Sequence, residues 1–108
     1  MKKIKIMLDF FQGPIWLSDA QTGEPMTGIS VIDTDPLVRE LNRKCGDLFY
    51  GYYHFDKPES PCVFDFEKEK KDKFVMLELI TQLVKRLEEI NDGTFVVEDC
   101  ETERLKKL

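Results

Sequence analysis

Apolar and polar residues alternate at the start of this chain. Ile4, Ile6, Leu8 and Phe10 fall on one side of an extended backbone, with Lys3 and Lys5 on the other. This is the period of a half-buried strand. Gly13-Pro14 supplies a reversal and Ile15-Trp16-Leu17 a short apolar return arm, so residues 2–23 read as a β-hairpin closing at the turn around Thr22-Gly23. Ile29, Val31 and Ile32 suit a further short extended piece.

A helix start follows. Asp33 or Thr34 can cap it, Asp35 complements the positive end of its dipole, and Pro36 fits the first turn. Leu37, Val38, Leu41, Cys45, Leu48, Phe49 and Tyr52 then recur at helical spacing. The aromatic run 49–55 admits two readings, a helix continuing to about residue 53 or a strand entered after a cap at Gly46. The helix is preferred. Asp56 to Pro61, with two prolines, predicts a loop, and Cys62 to Phe66 a strand that buries Cys62, Phe64 and Phe66. Glu67 to Asn91 predicts one long helix, with Phe74, Leu77, Ile80, Val84 and Leu87 close to one face and Met76, Leu83 and Ile90 widening it. Asp92-Gly93 ends that helix, Thr94 to Glu98 forms a last strand, and residues 100–108 form a charged tail, either frayed or a short helical end.

The order ββαβαβ predicts a single α+β domain over residues 1–108, a mainly antiparallel sheet of about four strands with two helices on one face. Its expected core is Ile6, Leu8, Phe64, Phe66, Ile80, Val84, Leu87 and Val97. A chain of 108 residues, 42% of them hydrophobic, has the material for one core. The net charge of −5 disfavours nucleic acid and anionic membranes as ligands. No apolar run approaches the roughly twenty residues of a membrane span. Lys5 and Asp9 interrupt what a signal peptide would need as an unbroken apolar segment. A cytoplasmic protein is therefore expected. Cys45, Cys62 and Cys100 are widely spaced and the chain has a single histidine. Reduced, mostly buried thiols are expected, with no zinc site and no cofactor.

Charge placement says more than its total. From Ile6 to Val38 the only charged residues are Asp9, Asp19, Glu24, Asp33 and Asp35. From Leu87 to Glu103 they are Glu88, Glu89, Asp92, Glu98, Asp99, Glu101 and Glu103. These two windows hold twelve of the 21 acids and none of the 16 bases. If the last strand lies near the opening hairpin, they form one negative surface suited to steering a basic protein partner. Otherwise they solvate loops and guard strand edges. The candidate binding face comprises Asp19, Glu24, Asp33, Asp35, Glu98, Asp99 and Glu101, with Trp16 as aromatic anchor.

Catalytic patterns are weaker. The chain has no phosphate loop, dinucleotide glycine pattern or nucleophile elbow. Asp33-x-Asp35 begins like a calcium loop but runs into Pro36, as a helix start would. His54, among aromatics and near Asp56, is the one candidate general base. The mixed-sign run 68–73 reads as a solvated helix turn.

The opening residues also resemble a family. Lys5-Ile6-x-Leu8-Asp9-Phe10, then Pro14-Ile15-Trp16, then Asp19 and a glycine, is similar to small acidic bacterial immunity-type proteins of interbacterial toxin systems. The likeness continues through Asp35-Pro36-x-x-x-Glu40-Leu41 and Leu48-Phe49, while Lys57 to Pro61 departs from it. It implies a stoichiometric inhibitor, not an enzyme, that binds a cognate and often basic toxin domain without a cofactor. An adaptor or regulatory subunit unrelated to toxins is the alternative, and a small enzyme using His54 a lesser one. The sequence leaves the oligomeric state open.

Overall fold

The computed structural model describes residues 2–8, 14–16, 18, 19, 22–54 and 63–108. The expectations for Asp9, Phe10, the Gly13 reversal, Leu17, the loop 56–61 and Cys62 lie outside them. The elements in order are β1 (Lys2–Ile6), β2 (Ile15–Trp16), α1 (Ser30–Asp33), α2 (Pro36–Tyr50), β3 (Tyr53–His54), β4 (Val63–Phe64), α3 (Phe66–Lys71), α4 (Lys73–Glu89), β5 (Phe95–Asp99) and α5 (Thr102–Lys106).

The fold is α+β, but its strands form two small sheets in place of one antiparallel sheet. In the larger, ordered β2-β1-β5, β2 runs antiparallel to β1 and β5 runs parallel to it. Alternation shows which side of a strand is buried and leaves its partner and direction open. Here α4 returns the chain to the end of the sheet where β1 begins, and the Lys2 N–H donates to the Thr94 carbonyl there (3.3 Å). β5 therefore starts beside the start of β1, and such a crossover gives a parallel pair. The smaller sheet is the antiparallel pair β3-β4.

Ile4, Ile6, Ile15 and Phe95 bury the inner sheet face against α2 and α4, with Val38, Leu41, Cys45, Ile80, Leu83 and Leu87. Of the expected core, Ile6, Leu8, Ile80 and Leu87 are buried, while Phe64, Val84 and Val97 are half-buried. Phe66 is a correction. It opens α3 rather than ending a strand, and it stands 72% exposed.

The expected helix 67–91 is divided at Asp72, whose φ/ψ of −91°/4° leaves the helical well. Hydrogen bonds still step across the joint, from the Asp72 N–H to the Lys68 carbonyl and from the Met76 N–H to the Asp72 carbonyl. Glu69, Met76, Ile80, Leu83 and Leu87 accordingly form one continuous buried stripe. Of residues 29–32 only Ile29 is extended. Ser30–Asp33 make a helical turn, and Asp35 caps α2 by accepting from the Val38 N–H (2.9 Å). The aromatic run divides between both readings, helix to Tyr50 and strand from Tyr53. Phe49, Tyr52, Tyr53, Phe64 and Phe66 then form a cluster with ring centroids 4.8–6.0 Å apart, edge-to-face except for the tilted Phe49–Phe64 pair. The tail takes the helical of its two readings. Residues 102–106 form α5, which seats Leu105 in the core.

Candidate partner-binding surface

The β1–β5 ladder brings the end of the second acidic window beside the opening strand, with Lys5 opposite Glu98 and Ile6 opposite Asp99. On the other side of β1, Lys5 lies opposite Trp16. Residues in one row of a sheet point to one face. Trp16, Lys5 and Glu98 therefore share the outer face with Lys3 and the exposed Val96. The indole N–H donates to the Met7 carbonyl (2.8 Å), and the Lys5 ammonium lies 5.4 Å from the ring centroid. Lys3 pairs with Glu98 at 3.5 Å, both side chains being about half exposed or more. Such a pair is worth little and yields readily to a stronger partner.

The other acids have local employment. Glu24 pairs with Arg39. The Asp33 carboxylate accepts from the backbone N–H and hydroxyl of Thr27 (3.0 and 2.7 Å) and from the Gly28 N–H (2.9 Å). Gly28 has φ +81°, a conformation that glycine adopts without strain. Asp19 closes its own turn, accepting from the Thr22 N–H with its side chain and from the Gly23 N–H with its carbonyl. Asp99 holds the start of α5 through the N–H groups of Glu101 and Thr102 and the Thr102 hydroxyl.

Two of the eight candidates are interior. Asp35 is 9% exposed, and beyond its cap it receives a two-pronged contact from Arg86 (3.0 and 2.7 Å). The guanidinium holds its carboxyl below the usual range. Glu101 is 1% exposed and accepts from the Leu8 N–H (2.8 Å), anchoring the chain where it leaves β1. Arg104 bridges Glu101 (2.8 Å) and the equally buried Glu69 (2.9 Å). Burial raises the Glu101 carboxyl despite these bonds. The eight residues thus divide between an outer sheet face carrying Trp16 and Glu98 and separate positions, with Asp99 in the Ile6 row at the start of α5 and the others in loops or the interior.

Arg86, Asn42, Glu69 and Arg104 escaped the sequence reading. Asn42 is buried and joins three segments, accepting from the Ile15 N–H (3.0 Å) and donating to the Ser18 hydroxyl (3.0 Å) and the Gly23 carbonyl (2.9 Å). Glu69 had a legible signal. It lies in phase with Met76, Ile80, Leu83 and Leu87 within a run otherwise read as solvated.

His54 Nε2 lies 2.9 Å from Asp65, and the expectation for Asp56 lies outside the described residues. Asp65 also caps α3 through the Lys68 N–H (3.0 Å), so the pair ties the β3–β4 unit to that helix. The His54 contact is the foremost cause of a lowered Asp65 carboxyl. Cys45 and Cys100 are free, and burial pushes the Cys45 thiol up to about 12, which makes it a poor nucleophile and ligand. Among the described residues no three His, Cys, Asp or Glu side chains converge as a metal site, and no helix is long and apolar enough to cross a membrane. Comparison of the chain with family models, with curated proteins and with solved structures returns no match.

Proposed function

We propose that this protein is a stoichiometric protein-binding module of the immunity type, holding a basic toxin domain through the outer face of the β2-β1-β5 sheet. The observation that carries the reading is the single row containing Trp16 and Glu98, two strands apart and thus about 10 Å from each other. A rigid aromatic and a carboxylate in one row, on a face that none of the described helices covers, is the chemistry that anchors an interface rich in Lys and Arg. Lys3 gives up its weak pair with Glu98 when a partner's arginine offers a two-pronged one. The protein acts by occluding its partner in the cytoplasm, without turnover or cofactor. The resemblance of residues 5–23 to immunity-type proteins supports the toxin as partner.

The test is affinity capture from the native cell with the wild type and a Trp16→Ala/Glu98→Lys variant, followed by association rates at low and high salt. The wild type is expected to retain one basic domain in fixed stoichiometry, with association slowed by salt. The variant should fold normally and associate at least about tenfold more slowly. Capture of no basic domain, or equal rates and equal salt slopes for both forms, refutes the proposal.

A further inference from the structure

The outward side of α4 carries a second surface. Phe74 is 73% exposed and Val75 55%, although both stand on a helix whose opposite side is wholly buried. Lys71, Phe74, Val75 and Glu78 are all exposed and follow one another at i, i+3, i+4 and i+7, the spacing of a single helical face. The Asp72 joint does not interrupt this face, since the buried stripe on the other side runs through it in phase from Glu69 to Leu87. Among the described residues neither Lys71 nor Glu78 has an ionic partner within the chain. Glu78 accepts only from the Gln82 amide (2.9 Å).

The order of these residues is self-complementary. Consider two such helices packed antiparallel about a two-fold axis midway between Phe74 and Val75. Residues equidistant from the axis then face each other. Phe74 meets Val75 of the second copy, and Lys71, about 10 Å along the helix from Glu78, meets Glu78 of the second copy. The axis makes each contact twice, as in any isologous interface. A parallel arrangement in the same register would set Lys71 against Lys71 and Glu78 against Glu78, which like-charge repulsion opposes.

We infer that the exposed face of α4 is a homodimer interface, occupied by the same face of a second copy of this chain. A single helix pair buries less than a standard permanent interface, so the dimer is weak and forms at high protein concentration. It leaves the β2-β1-β5 sheet face uncovered, and it does not depend on the identity of any toxin.

Sedimentation equilibrium of the whole chain, from about 10 µM to about 1 mM, reads the association directly. The wild type should shift from monomer to dimer across that range. Phe74→Ser should raise the dissociation constant at least about tenfold. Lys71→Glu and Glu78→Lys should each raise it several-fold, since each sets like charges opposite one another twice. The double charge swap, K71E with E78K, should return it close to the wild-type value. These positions are exposed, and far-UV circular dichroism will confirm that each variant is folded. A wild type that stays monomeric throughout, a dimer indifferent to Phe74→Ser, or single reversals that the double swap does not rescue would each overturn the inference.

Discussion

Arg104→Met is the most informative single substitution. The side chain holds two carboxylates, Glu69 at 3% exposure and Glu101 at 1%, through bonds of 2.9 and 2.8 Å. Methionine fills similar space but leaves both acids without a cation. Removing one partner of a fully buried ion pair costs about 3–5 kcal/mol. Arg104 is 40% exposed, so water reaches its side of the cluster and the expected loss is smaller, about 2–4 kcal/mol near neutral pH. That is a large share of the roughly 5–15 kcal/mol that holds a domain together. The loss also has a pH signature. Burial places the folded-state value of Glu101 above its unfolded one, so the folded chain holds this proton the more tightly. Glu101 therefore favours folding below the ordinary carboxylate range and costs stability as pH rises through and above it. The Arg104 guanidinium opposes that rise, and its loss steepens the effect. Urea unfolding of wild type and variant at pH 5 and pH 7, compared through midpoints at constant slope, measures both quantities. A Glu101→Gln change added to the variant should recover part of the loss at pH 7 and no more than that at pH 5. A loss under about 1 kcal/mol at pH 7, or a loss that is larger at pH 5 than at pH 7, refutes the clamp.

Ile80→Ala and Leu87→Ala, at wholly buried positions, should each cost about 2–5 kcal/mol in the same assay, whereas Phe66→Ala at its exposed position should cost less than about 1 kcal/mol. Equal losses at Phe66 and Leu87 would reverse the orientation of the helix. Asp35→Ala should cost about 1–2 kcal/mol through the lost cap alone, and Asp35→Asn less of that contribution because asparagine also caps. Arg86 holds the Asp35 carboxyl below its ordinary value, so the pair contributes its full stability above about pH 4 and loses it as pH falls through the lowered folded value. An acid titration of stability followed for wild type and Asp35→Asn should diverge above that range and converge below it. Parallel curves would count against the pair.

Much of this architecture was legible in periodicity. Val38, Leu41, Cys45 and Phe49 of α2 and the alternating residues of β1 are buried as their spacing selects, whereas α4 is turned from its expected face: Phe74 stands 73% exposed, Leu77 and Val84 are half-buried, and Met76, Ile80, Leu83 and Leu87 form the buried stripe. Partnership between strands was not legible. Ile4 and Ile6 announce that one face of β1 is buried, yet nothing local states that its longer neighbour is β5 or that the two run parallel. Chemistry within polar runs was equally hidden. Glu69 stands among lysines and acids as though solvated, and only its phase with Met76 and Ile80 reveals a buried carboxylate. The acids of the candidate surface show the same limit. Charge counts placed Asp35 and Glu101 with Glu98, but the first caps a helix, the second anchors Leu8, and only the third faces outward in the row of Trp16. A carboxylate that satisfies backbone N–H groups has the same sequence signature as one that awaits a partner.

The β1–β5 ladder joins Lys2 to Phe95 and Ile6 to Asp99, and so sets the order in which the chain can assemble. The helical stretches fold on nearby contacts, but β1 must wait for a strand more than ninety residues away, and closing so long a loop carries an entropic cost of about 4 kcal/mol beyond a constant. Topologies dominated by such distant pairings fold slowly. Throughout that wait one edge of β1, backed by the apolar Ile4 and Ile6, lies open to a strand from any other unfinished chain. Lys2, Lys3 and Lys5 line that same strand, and lysines on an open edge repel foreign pairing. The cluster of positive charge that opens an otherwise acidic chain thus guards a vacancy until the chain's own last strand arrives to fill it.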